Sequence, residues 1–162
     1  MRMTGDSGVC MNRQKDKPAV LVSACLLGFP CRYDGKSKLN EEVAAMSEKY
    51  ELVPVCPECL GGLPTPRSPS ELKDGRAITS DGEDRTEQFV NGANETLKIA
   101  LKRGCLVAVM KERSPSCGSG IIHNGRFDGG LTEGWGVAAA LLRSSGIWVI
   151  GESSISKLKK DH

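Results

Sequence analysis

The sequence predicts a single α/β domain: a doubly wound, mostly parallel sheet of about four strands with helices on both faces and a small added β-hairpin. Three observations carry that expectation. Short apolar runs at 20–24, 52–55, 106–110 and 147–150 alternate with segments of helical periodicity, which is the βαβαβαβ order that right-handed crossovers turn into a parallel sheet. The runs are apolar throughout rather than alternating, as in strands covered on both faces. A chain of 162 residues with 39% hydrophobic side chains suits one core rather than two. We place the domain at 18–152, between a flexible N-terminal extension at 1–17 and a polar tail at 153–162.

Each element follows from local signals. The first strand, in PAVLVSAC, is built of small and β-branched residues and ends at Cys25. A long loop, LLGFPCRYDGKSK, leads to Asn40, a good N-cap, then Glu41 and Glu42 in the first turn of a helix whose stripe is Val43, Met46 and Tyr50. The second strand, 52–55, runs directly into Cys56-Pro57-Glu58-Cys59, after which no helical pattern is visible. From 60 to 83 the chain is rich in Gly, Pro, Ser and charge and is expected to be a loop covering a site. The longest helix, 84–103, buries Phe89, Ala93, Leu97, Ala100 and Leu101 and is closed by Gly104. The strand at 106–110 breaks into KERSPSCGSG, a hairpin is expected within 120–130 around Asn124-Gly125, and a helix at 133–145 feeds the last strand.

Composition excludes several classes. A net charge of +2 with 4% aromatic residues offers neither a basic patch nor stacking platforms, so DNA is not an expected partner. No apolar run approaches the roughly 20 residues that span a bilayer, and the N-terminus lacks a signal-peptide pattern, so we expect a cytoplasmic protein without a membrane partner. Oligomeric state is not encoded in any pattern we can read.

Seven cysteines in a reducing compartment point to metal or thiol chemistry rather than to disulfides. Cys25, Cys56 and Cys117 each follow a predicted strand, and in a parallel sheet those ends converge on the carboxyl edge, where open α/β sheets bind ligands. Three thiolates without a fourth suit a cofactor with an open position: a cubane iron-sulfur cluster takes one cysteine per iron and would keep one iron free. Two other groupings stay open. Cys25, Cys31, Cys56 and Cys59 form a set that closes around zinc in a structural or interaction module, and Cys56-x-x-Cys59 alone is a thiol redox motif. Cys105, at a helix end, reads as core, and Cys10 as a tail thiol. With His123 and His162 as the only imidazoles, His123 in a hairpin where solvation or a hydrogen bond satisfies it, proton transfer falls to other groups. Glu58 is the first candidate, and Ser114, three residues before Cys117, the second.

The blocks VSACLLG, CRYDG, VPVCPE, GGLPTPRSPSE, GEDRTEQFVNGA, LKRGCLVAVMKERSPSCGSG and EGWGVAAALL, in that order, resemble the TudS-like thiouracil desulfidase family over about 18–151. The resemblance implies a non-redox enzyme that removes sulfur as sulfide from a thiolated nucleobase such as 2-thiouracil. It implies a [4Fe-4S] cluster held by Cys25, Cys56 and Cys117 with one iron open to the substrate sulfur, and catalytic roles for Glu58 and Ser114. Arg67, Lys111 and the backbone at Gly118 are expected around the pyrimidine, although Arg67 serves equally well as a brace for the long loops. Cys31 and Cys59 are extras relative to the family pattern and keep zinc and redox alternatives in play.

Overall fold

The computed structural model describes residues 17–160. Four parallel strands form the central sheet: β1 (Ala19–Ser23), β2 (Glu51–Val55), β5 (Val107–Met110) and β8 (Trp148–Gly151), in the order β2-β1-β5-β8. Pro54, which has no N–H to give, sits in the edge strand β2. Two antiparallel hairpins are appended, β3 (Ser70–Lys73) with β4 (Arg76–Thr79) and β6 (Ser119–His123) with β7 (Leu131–Trp135). The helices are α1 (Glu41–Ala44), α2 (Pro57–Leu60), α3 (Thr86–Arg103), α4 (Val137–Ser144) and α5 (Ser156–Lys160).

Strand alternation sends side chains into two separate cores, so the sheet is doubly wound as expected. Leu21, Val53, Val55, Ala108, Met110 and Val149 point to one face, where Ala100 of α3 and Ala139 and Leu142 of α4 cover them. Val20, Val22, Val109 and Ile150 point to the other and meet Val43 of α1 and Leu158 of α5. Leu21, Met110 and Leu142 are fully buried, and truncating any of them to Ala would cost about 2–5 kcal/mol.

The structure departs from expectation at five places. The first helix is only one turn of α-helix capped by the Asn40 side chain (3.0 Å to the Val43 amide) before it tightens into a 3-10 turn at Ala45–Glu48. Within 60–83 lies the hairpin β3-β4, turned by Asp74 (φ 52°) and Gly75 (φ 79°), the two positive angles of a type I′ turn. The second hairpin is longer than Asn124-Gly125 implied: its return strand occupies 131–135, which shortens the following helix to 137–144. A turn of helix, α2, follows Cys56 where none was expected. The stretch expected as a polar tail carries Ile155 and Leu158 into the second core. Residues 1–16 and 161–162, with Cys10 and His162, lie outside the described residues.

Candidate active site

Connectivity makes the carboxyl edge of the sheet a natural site. The chain leaves β1 toward β2 on one side and β5 toward β8 on the other, so β1 and β5 flank the switch point at which open sheets form a crevice. A cavity of about 370 Å³ opens there. Ser23, Cys25, Cys31, Cys56, Glu58, Arg67, Lys111, Ser114, Ser116 and Cys117 all contribute to its lining.

Each loop is fixed by a distinct device. After β1, a 3-10 turn (Ala24–Leu27) closed by Gly28 at φ 96° buries Cys25. After β2, Pro57 at the first helical position starts α2 and places Glu58 one residue inside it. That helix is clamped to α3 through two glycines: a Cβ on Gly92 would lie 1.9 Å from the Pro57 carbonyl oxygen, and one on Gly61 would lie 1.9 Å from that of Gln88. After β5, the Ser114 hydroxyl accepts hydrogen bonds from the amides of Ser116 (3.1 Å) and Cys117 (3.0 Å). The carbonyls of Pro115 and Ser116 in turn accept from the first amides of α4, at Val137 (2.9 Å), Ala138 and Ala139 (both 3.0 Å), so this loop caps a helix that would otherwise leave those donors unpaired. Gly136 allows the approach, since a Cβ there would sit 2.4 Å from the Ser116 carbonyl carbon.

A polar chain crosses the cavity lining. Glu58 Oε1 accepts from Arg67 Nε at 3.0 Å, and its Oε2 accepts from the Ser116 hydroxyl at 2.9 Å. Ser114 and Ser116 hydroxyls are 3.1 Å apart. Because both lone pairs of Ser114 Oγ already face backbone amides, Ser114 is the donor, and the direction runs Ser114 to Ser116 to Glu58. Arg67 spends its other donors on the carbonyls of Cys31 (3.0 Å) and Pro64 (3.1 Å) and the Thr65 hydroxyl (3.0 Å). Burial works against its charge, but the facing Glu58 carboxylate more than compensates and raises the guanidinium above its usual pKa. Lys111 Nζ is likewise engaged, with Glu152 (3.2 Å) and the Glu112 carbonyl (3.1 Å). Gly118 is outside the cavity lining and packs its Cα against Ile122 and the Ser114 carbonyl.

The thiols form a graded set. Cys31 shares hydrogen bonds with the Cys25 and Cys56 thiols; the bond to Cys25, with burial, pushes it up to about 11. Cys56 is raised further, first by its bond to Cys31 and then by burial. Burial pushes Cys117 up to about 12, with the Ser23 hydroxyl opposing. Cys59 lies outside the cavity lining, near the Cys31 carbonyl (3.9 Å) and Thr65 Oγ1 (3.5 Å). Cys105 is 2% exposed in the first core.

This donor set fits a cluster better than a single ion. Among the described residues, no group of three or more His, Cys, Asp or Glu side chains is set to hold a single metal ion. A cubane asks less, because each thiolate binds a different iron and the sulfurs stand farther apart. Four cysteines line the cavity, and three of them, Cys25, Cys56 and Cys117, come from separate strand ends as that requirement asks, with Cys31 beside them from the loop after β1.

Sequence reasoning missed Ser116, Phe127 and the cavity position of His123. Ser116 was legible in principle, since it lies between the two residues that were singled out. The other two depend on how the hairpins fold back, which no local pattern states. Glu71, a candidate with Arg32 and Asp34 for an ion-pairing brace of the long loops, instead holds the amides of Gly125 and Phe127. His123 was expected to be satisfied by solvent or a hydrogen bond; instead its Nδ1 is buried without a partner, and the residue lines the cavity.

Known proteins share this fold. A solved structure described as a [4Fe-4S]-dependent thiouracil desulfidase, TudS, superposes with a TM-score of 0.84 at 44% identity, covering 90% of this chain and 97% of that one. The uncharacterized protein YbbK of Bacillus subtilis (strain 168) is 40% identical over 149 residues, which is 86% of this chain and 99% of YbbK. The family model described as 2-thiouracil desulfurase matches residues 20–154, and the chain therefore belongs to the 2-thiouracil desulfurase family.

Proposed function

We propose that this protein is a [4Fe-4S]-dependent thiouracil desulfidase, and that Cys25, Cys56 and Cys117 hold the cluster while Glu58 moves protons, oriented by Ser116 and Ser114. The observation that carries the reading is the meeting, on one cavity, of three cysteines from three separate strand ends with a carboxylate already wired to two hydroxyls. The family and the TudS likeness support the activity. A thiolated nucleobase such as 2-thiouracil is the substrate class. No helix among the described residues is long and apolar enough to cross a membrane, and a cytoplasmic site of action is part of the proposal.

When bound, a cluster with one iron free of protein ligands supplies a soft Lewis acid that polarises the C=S bond of the substrate. The residues supply the rest. Glu58 accepts a proton from a water as that water adds to the polarised carbon. Arg67 holds Oε1 and so leaves Oε2 facing Ser116, the end of the hydroxyl chain. The C–S bond then breaks, and Glu58, oriented by the Ser114–Ser116 hydroxyl chain, returns the proton to the departing sulfur. Overall one water is consumed, C=S becomes C=O, one sulfide leaves, and no electron is transferred. Arg67 and Lys111 act first as braces, since most donors of both are engaged by the protein.

Anaerobic reconstitution with iron and sulfide tests the proposal. A brown protein that releases sulfide from 2-thiouracil is expected, with each of Cys25→Ala, Cys56→Ala and Cys117→Ala unable to take up the cluster. Glu58→Gln should keep the cluster and lose most turnover. A colourless protein with stoichiometric zinc, unaffected by Cys117→Ala, would instead establish the zinc-binding module.

A further inference from the structure

Part of the cavity lining comes not from the sheet edge but from the two hairpins, and the chemistry described so far uses none of it. Glu71 of β3 is 9% exposed, and its Oε1 accepts from the amides of Gly125 (2.9 Å) and Phe127 (3.1 Å) in the loop between β6 and β7. Gly125 makes that contact possible: at φ 90°, a Cβ there would come within 2.7 Å of the Leu72 carbonyl oxygen. The same carboxylate holds Phe127 at φ 55°, an uncommon angle for a bulky residue, and one that a surface loop has no reason to keep unless the ring's position matters. Phe127 lines the cavity while 38% exposed. His123, at the end of β6, lines it too, and its Nδ1 is the one buried side-chain nitrogen or oxygen among the described residues without a hydrogen-bond partner. Leaving such an atom unpaired costs about 1–3 kcal/mol, and because Nδ1 is closed to solvent as it stands, a ligand removes that cost only by meeting a ring turned about its Cβ–Cγ bond toward the cavity.

We infer that His123 and Phe127, set in place by Glu71, form the recognition subsite for the heteroaromatic ring of the substrate. Phe127 offers a flat apolar face to the ring. His123 Nδ1 pairs with a ring N–H or the exocyclic oxygen, according to which of its nitrogens carries the proton. The subsite therefore selects planar rings with a polar edge and discriminates against acyclic thioamides that present the same C=S group. This inference rests on the desulfidase reading for its substrate, but its physical content, an aromatic face beside an unpaired imidazole nitrogen, can be read out separately.

The test is calorimetric titration of uracil into the cluster-free full-length protein, in parallel with KM and kcat for 2-thiouracil on the loaded protein. His123→Phe should weaken uracil binding and raise KM about tenfold or more with kcat within about threefold, and His123→Gln should restore part of the loss. Phe127→Leu, which keeps bulk and loses the planar face, should weaken both by about threefold to tenfold. Unchanged uracil affinity and KM in both His123→Gln and Phe127→Leu, with melting temperatures near that of the parent, would overturn the inference. If the loaded parent protein releases no sulfide at all, the desulfidase reading fails, while uracil binding that responds to His123 would still uphold the subsite.

Discussion

Replacing Gly92 by Ala should damage a centre that the residue does not touch. On an exposed helix this change stabilises by about 1 kcal/mol, because alanine is the better helix former. Here the added methyl would sit 1.9 Å from the Pro57 carbonyl oxygen, and contact becomes ordinary only at 3.4 Å, so α2 must retreat from α3 by about 1.5 Å. Overpacking of that size costs about 3 kcal/mol, which outweighs the propensity gain and leaves the variant about 2 kcal/mol less stable. For a chain of this length the melting temperature should fall by roughly 4–8 °C. The retreat also carries Glu58 away from Ser116, and the 2.9 Å bond between them does not survive a movement of half its length. Turnover of 2-thiouracil should drop about a hundredfold in the loaded protein. Thermal melts and sulfide release, measured on Gly92→Ala and on a surface control such as Asn94→Ala, decide the matter. A melting temperature that rises, or turnover within about twofold of the parent, would refute the idea that the glycine clamp positions the carboxylate.

Ser116→Ala removes the middle of the hydroxyl chain while sparing every proposed ligand; turnover should fall about tenfold to a hundredfold with the absorption of the loaded cluster unchanged. Arg67→Lys replaces a fork that reaches Glu58, Cys31, Pro64 and Thr65 by a single ammonium, and a stability loss of about 1–3 kcal/mol in denaturant melts is expected. The Cys117 thiol, pushed up to about 12 from 9.0 by burial, should react with iodoacetamide at pH 8 on the order of a thousandfold more slowly than a free thiol, and faster as pH rises. Asp84, held down at about 2 by hydrogen bonds from Thr86 and then by Arg76, contributes stability that is complete above its ordinary value of 3.8 and lost as pH falls toward 2. Asp84→Asn should therefore flatten the acid limb of the stability profile between those values.

The parallel sheet was legible because its strands are uniformly apolar and its crossovers follow from right-handedness; Val20, Leu21 and Val22 face alternate cores, as such a run must. Convergence of Cys25, Cys56 and Cys117 followed from the same argument and needed no view of the loops. The hairpin at 70–79 was hidden by its polar composition, although Asp74-Gly75 is a strong turn signal that could have revealed it. The bracing contacts of Arg67 could not be read locally, since its Cys31 partner lies 36 residues away, and only the folded positions show most of its donors engaged. The role of His123 was hidden for the opposite reason: a missing partner leaves no trace in a one-dimensional pattern.

Cys25 and Cys117 do double duty as small apolar side chains, one in each of the two cores. The polypeptide can therefore mature into a finished receptacle before any iron arrives, unlike a zinc finger, whose architecture waits for its metal. Oxygen damage to a partly open inorganic centre then becomes a matter of refilling rather than of resynthesis: the scaffold outlives its cargo.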